Sequence, residues 1–153
     1  MSDRFFSLMM RRKLILVLVL LGLAAAIAIF VPRSRRIGTV SVDSLRTIYT
    51  AQVTYAQSHL DKGFASSLAD LGPSPGAELI DSVLATGRKS GYVYTLIAAP
   101  PEASGRIMHY TVVARPEKYE EETRGFFIDE SGVARFTTEN RAATVSDAPS
   151  RIE

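Results

Sequence analysis

Cysteine is absent from the 153-residue chain. That absence excludes disulfides, thiolate metal sites and a cysteine nucleophile, and it fits either side of a membrane. Histidine is scarce, with only His59 and His109. Either imidazole could act as a general base, but a helix-end or surface histidine is the commoner setting. Gly72-Pro73-Ser74-Pro75-Gly76 spells Gly-x-Ser-x-Gly, but its two prolines and two glycines mark a loop rather than the strand-to-helix turn a nucleophile elbow needs. The His-Glu-x-x-His and Walker sequences are missing, and the chemistries they serve are not written here. Ser104-Gly105 and Ser131-Gly132 read as turns. The expectation is a protein that is not an enzyme and needs no cofactor or metal.

Another absence is local and more informative. Residues 14–31 carry no polar side chain at all. As a helix rising ~1.5 Å per residue this run is about 27 Å long. The hydrocarbon core of a bilayer is ~30 Å thick. Arg11, Arg12 and Lys13 precede the run, and Arg33, Arg35 and Arg36 follow it. These cations can reach the headgroups at both ends and make up the shortfall. A cleaved signal would have a shorter apolar core and a small-x-small exit, whereas this run leaves through Phe30-Val31-Pro32-Arg33. A soluble core helix does not need an apolar surface all round, and an interfacial helix would show a polar face. The run reads as a single-pass anchor, with the lipid bilayer as partner.

The charge balance follows the same division. Residues 1–36 hold seven Lys/Arg and one acid, whereas residues 37–153 hold eleven Lys/Arg and fifteen acids. The basic pI of about 9.0 thus belongs to the membrane flanks, where cations meet anionic lipid. The remainder is mildly acidic and has no Lys/Arg stripe among its aromatics, which argues against nucleic acid as a partner. The excess of positive charge before the run is narrow and favours a cytoplasmic N-terminus. The following domain is then extracytoplasmic, and a bacterial inner membrane is the expected location.

Beyond the run, Ser41 is an apparent N-cap for a second helix ending near Leu60, with Asp43 in its first turn. Val42, Leu45, Ile48 or Tyr49, Val53, Ala56 and Leu60 form an apolar stripe at helical spacing. Asp43, Arg46, Thr50, Thr54 and Ser58 lie opposite. Gly38 separates this helix from the anchor, and Pro32 sits where a kink is expected. A short helix over Glu78–Thr86 turns Leu79, Ile80, Val83 and Leu84 inward and closes at Gly87. Extended, β-branched and aromatic runs follow at Tyr92–Ala98, Ile107–Arg115, Gly125–Glu130 and Val133–Thr138. Asp129-Glu130-Ser131-Gly132 is a tight hairpin turn. The organisation expected is a basic cytoplasmic segment 1–13, a transmembrane helix 14–31, an α+β domain 32–138 and a flexible polar tail 139–153.

Two stretches carry a family resemblance. Gly22-Leu23-Ala24-Ala25-Ala26-Ile27-Ala28-Ile29, followed by Pro32, is similar to the transmembrane wording of type IV pilins and of type II secretion pseudopilins. In the soluble part, Asp43-Ser44-Leu45-Arg46-Thr47-Ile48, Val53-Thr54-Tyr55-Ala56, Ser67-Leu68-Ala69-Asp70-Leu71-Gly72 and Phe127-Ile128-Asp129-Glu130-Ser131-Gly132-Val133 resemble pilin-like proteins. The resemblance spans about residues 22–137. It implies a pilin-like α+β fold, with a long N-terminal helix packed on a small antiparallel sheet. It also implies work through contacts with other pilin-like or secretion-system subunits. Gly22, Ala24, Ala25 and Ala26 would then give the small-residue surface that close helix packing needs.

The N-terminus departs from the family pattern. Phe5 stands where prepilins have the Gly of the cleavage point, and Met10 stands where they have Glu. Arg11, Arg12 and Lys13 would be costly unpaired cations inside a filament core. Some pseudopilins bind calcium in a loop of the region holding Glu117 and Glu120-Glu121-Glu122, and oxygen ligands suit that ion. Three consecutive glutamates cannot all point at one ion, so a solvated charge run is the expectation. A membrane-tethered ligand-binding or sensor module that never assembles is the alternative function. Tyr49, Tyr55, Tyr92, Tyr94, Tyr110 and Tyr119, with Phe126 and Phe127, are expected mainly in the core.

Overall fold

The apolar stripe that begins near residue 42 is the spine of the domain. In a computed structural model it lies on a 25-residue helix, α1 (Ser34–Ser58). The described residues are 34–73, 75–120 and 123–150, with residues 34–40 described by backbone alone. The described residues belong to one compact unit, Ser34–Glu153. The predicted transmembrane helix 14–31 falls outside the described residues. Among the described residues, no helix is long and apolar enough to cross a membrane.

Val42, Leu45, Ile48, Ala51 and Tyr55 of α1 are buried, while Asp43, Arg46, Thr50, Thr54 and Ser58 are exposed. Leu45 and Ile48 are fully buried, and each such side chain contributes about 1.5–3 kcal/mol. They pack on a six-stranded antiparallel sheet whose strands are neighbours in chain order. The strands are β1 (Arg88–Lys89), β2 (Tyr92–Ala98), β3 (Tyr110–Pro116), β4 (Gly125–Asp129), β5 (Arg135–Thr137) and β6 (Ala148–Pro149). The register aligns Tyr94 with Ala114, Ala114 with Phe126, and Phe126 with Phe136. This row, with Tyr92, Val112 and Ile128, forms the face that meets α1 in the core. The domain is therefore α+β, with its main core between one long helix and one face of the sheet.

Two one-turn helices fill the corner before β1. In α2 (Leu68–Leu71), Ser67 accepts from the Asp70 N–H while the Asp70 carboxylate accepts from the Ser67 N–H, a complete capping box. In α3 (Ser82–Ala85) the Asp81 carboxylate accepts from the Leu84 N–H. Gly87 closes α3 through its N–H to the Leu84 carbonyl, as expected. At the hairpin between β4 and β5, Gly132 has φ of +74° and donates to the Asp129 carbonyl. The turn expected at Ser104-Gly105 is also present, Gly105 donating to Glu102.

Several expectations need correction. Ser41 does not cap the helix, because α1 already begins at Ser34 and Ser41 is a fully buried interior residue. Gly38 does not interrupt α1 either; an interior Gly costs a helix only about 1 kcal/mol. Leu60 is 70% exposed because α1 ends two residues earlier and the chain turns away. Glu78 lies outside α3 at φ of +57°, and Val83 points outward at 53% exposure. The single turn of α3 turns only Leu84 fully inward, and Ile80 is buried in the chain just before it. Ile107 pairs with Gly63 in an isolated parallel bridge rather than opening β3. Of the tail expected from Glu139, residues 139–150 are described and are tied to the sheet. They return as β6 and cross the outer face of the sheet, where Arg141 lends its carbonyl 3.3 Å from the position a Cβ on Gly125 would take.

Candidate functional site

Most of the anticipated functional positions fall outside the described residues. This holds for Arg11, Arg12, Lys13, Gly22, Ala24, Ala25, Ala26, Pro32 and Arg33. Arg35 and Arg36 belong to the first turns of α1, by backbone. In the Glu120-Glu121-Glu122 run, Glu121 and Glu122 are likewise outside. Glu120 is exposed and its N–H donates to the Thr123 hydroxyl, which donates back to the Glu120 carbonyl. Glu117 lies 3.3 Å from Arg88. Among the described residues no group of three His, Asp or Glu side chains converges as a metal site would require.

The two histidines serve separate parts of the framework. The His59 ring follows the end of α1 and stacks on Tyr55, centroids 4.0 Å apart and planes 9° from parallel. Its Nδ1 lies 3.0 Å from the Tyr55 carbonyl. A proton on Nδ1 donates to that carbonyl and leaves Nε2 as an acceptor. His59 forms one wall of an open groove of about 400 Å³, together with Tyr55, Lys62, Asp70, Pro73 and Pro75. Burial opposes ionisation of Asp70, but hydrogen bonds from Ser66 and Ser67 outweigh it and hold the carboxyl below its usual range. The groove thus offers an ammonium, a carboxylate, an imidazole acceptor and proline walls.

His109 precedes β3, and its Nδ1 lies 2.7 Å from Glu130 Oε1. The other Glu130 oxygen accepts from the Tyr110 N–H at 3.4 Å. Burial works against ionisation of Glu130, yet the bonds from His109 and from backbone N–H groups lower its pKa. The carboxylate completes the β3–β4 ladder where the chain turns away. Beneath it, an ideal Cβ on Gly132 would lie 2.9 Å from Tyr49 Cζ, so the turn rests directly on α1. The imidazole is 69% exposed, and what it holds is the end of a hairpin.

A buried polar layer was hidden in the sequence. Gln52 is fully buried and grips the Ala65 backbone twice. Its Oε1 accepts the Ala65 N–H at 2.8 Å and its Nε2 donates to the Ala65 carbonyl at 3.1 Å. Nearer the start of α1, buried Ser41 and Ser44 lie beside the Tyr92 and Tyr94 hydroxyls. Burial pushes both tyrosines up, and the serine hydroxyls offset this in part. The Tyr92 hydroxyl also donates to the Arg124 carbonyl at 2.9 Å. The signal for Gln52 was available, since it falls in phase with Leu45, Ile48 and Tyr55. A polar residue at a core phase implies a specific partner.

The sheet's outer face is divided. Its β2–β3 half presents Ile97 at 56% exposure, with half-buried Val93, Thr111 and Val113. Its β4–β5 half is crossed by residues 138–147. Phe127, on that half, is only 6% exposed, and Ala143 only 2%. Tyr119 is the exposed tyrosine, and its hydroxyl donates to the Thr138 carbonyl. The described residues make an α+β domain with an uncovered sheet half and a mixed groove at the end of α1. No family model, curated protein or solved structure matches the chain.

Proposed function

We propose that this chain is a single-pass membrane protein whose extracytoplasmic domain works through protein contacts. In this reading it is a pilin- or pseudopilin-like subunit, or an accessory component of a type IV pilus or type II secretion apparatus. The observation that carries the reading is the order of elements. An apolar run of membrane length is followed closely by a 25-residue helix whose buried stripe packs on an antiparallel sheet. The sequence likeness at residues 43–48, 53–56, 67–72 and 127–133 supports it. Residues 14–31 supply the anchor, and Gly22 with Ala24–Ala26 the packing surface for neighbouring helices. Arg11, Arg12, Lys13, Arg33, Arg35 and Arg36 hold the anchor at the two headgroup layers.

The test is co-purification from the native membrane, with intact mass measured on the same sample. Replacing Gly22 and Ala26 by Ile weakens recovery of pilus or secretion partners if the anchor mediates assembly. Unchanged recovery removes that role. A mature chain beginning near Phe6 or Met9 marks a processed filament subunit, and an intact start marks a permanent accessory anchor.

A tethered ligand-binding module is the second reading, and the groove beside Tyr55, His59 and Lys62 favours it. Chemical-shift changes confined to those residues on adding a small ligand, with no partner recovered from membranes, would shift the assignment to that class.

A further inference from the structure

The segment after β5 is held to the sheet in an unusual way. From Thr138 to Ser150, Ala143 alone is buried, and Val145 is 58% exposed. Little apolar burial therefore keeps the segment down. Polar contacts do so instead, and they converge on one side chain. Asp147 accepts from both terminal nitrogens of Arg141. It also accepts from the Thr144 N–H at 2.7 Å and the Thr144 hydroxyl at 3.1 Å. Its own carbonyl accepts from Arg135 Nη1 at 3.0 Å, which ties the knot to β5. The Arg115 guanidinium reaches Asn140 from β3 at 3.2 Å. β6 itself has two residues, both exposed. Segments with few apolar contacts and exposed backbone bonds open at low free energy, as a unit and ahead of the core.

What lies beneath is unlike the rest of the outer face. Phe127 sits opposite Val113 in the ladder, and Val113 sits opposite Thr95. Phe127 is a large aromatic on the face away from α1, outside the main core cluster, yet nearly fully buried. Among the described residues, the segment after β5 passes over this half of the face, its Arg141 carbonyl 3.3 Å from the position a Cβ on Gly125 would take two residues before Phe127. The next row carries Ile97 opposite Thr111.

We propose that residues 138–150 form a strap latched at Asp147, and that release of the latch uncovers Phe127. Uncovering joins Phe127 to Val113 and Ile97 in one continuous apolar surface and frees the outer edge of β5. The latch thereby sets how much apolar sheet the domain shows to its surroundings. This is independent of the membrane assignment, since it rests on contacts within the domain.

Hydrogen exchange on the full chain, read by peptide mass, tests it with Asp147→Asn and the milder Thr144→Ala. The strap predicts that amides of 139–150 exchange about tenfold faster in Asp147→Asn, with a smaller gain in Thr144→Ala. Amides of β2 and β3 keep their protection, and binding of an apolar dye rises in Asp147→Asn but not in Asp147→Asn/Phe127→Ser. Unchanged exchange in 139–150 overturns the latch. Equal loss of protection in β2 and β3 overturns the strap, because the segment would then be part of the cooperative core. A dye signal that persists without Phe127 overturns the claim about what is uncovered.

Discussion

Replacing Gln52 by Leu keeps the side chain's approximate volume and removes both bonds to Ala65. The Ala65 N–H and C=O are then left buried, since Ala65 is only 1% exposed. An unsatisfied buried polar group costs about 1–3 kcal/mol, so the pair amounts to about 2–5 kcal/mol less any gain from the added apolar surface. A domain of this size has a total stability on the order of 5–15 kcal/mol, so the loss is readily measured. Urea unfolding followed by far-UV circular dichroism, on the chain in detergent, gives the number from the shift in midpoint. Gln52→Glu adds a second signature. Its carboxylate accepts the Ala65 N–H but faces the Ala65 carbonyl, and burial raises its folded pKa above the unfolded value of about 4.3. The variant is therefore least perturbed below pH ~4.3 and loses stability as pH rises from there through the raised folded value. A Gln52→Leu change below about 0.5 kcal/mol, or a Gln52→Glu penalty that does not grow with pH, refutes the clamp.

Further outcomes follow from the same geometry. Gly132→Ala places a methyl against the Tyr49 ring at a positive φ, and should cost about 1–3 kcal/mol in urea unfolding; Tyr49→Ala in the same chain should recover part of it. Among the described residues, nothing hydrogen-bonds the buried Tyr110 hydroxyl. Tyr110→Phe should therefore match or exceed the parent's stability, by up to about 1 kcal/mol. Glu130 has a lowered folded pKa, so its stabilising contribution is present above the unfolded value of about 4.3 and is lost as pH falls through the lower folded one. Acid titration of the melting temperature should show this loss in the parent and a flatter profile in Glu130→Gln. Leu45→Ala, at the centre of the α1 stripe, should cost about 2–5 kcal/mol.

The sequence made some of this architecture readable because periodicity reports burial. Val42, Leu45, Ile48 and the polar row through Thr50 and Thr54 occupy the faces their spacing implied. Tyr92–Ala98 is a strand with the bounds expected, and the Asp129–Gly132 turn is where its residues demand. What was misread depended on tertiary contacts. Ser41 looks like a cap because serine favours that position, but here its hydroxyl serves buried tyrosines. Residues 139–150 look disordered by composition, since their attachment runs through Arg141, Asp147 and Arg135 rather than through apolar side chains. β1 and β6 have two residues each, too few for any period to show. The groove at His59 was invisible for another reason. It is assembled from the end of α1 and a loop more than ten residues further on, and only folding brings Lys62 and Pro75 to one wall.

The proposed function stands on residues 14–31 anchoring this domain in a membrane, with the domain on the far side from the cytoplasm. Alkaline carbonate extraction of native membranes, combined with protease added to the outside of spheroplasts, tests it most directly. With such an anchor the full chain stays in the pellet, external protease removes the region after residue 36, and a chain starting at Ser34 is released. A full chain that carbonate extracts, or a domain that external protease reaches only after the membrane is lysed, would contradict it.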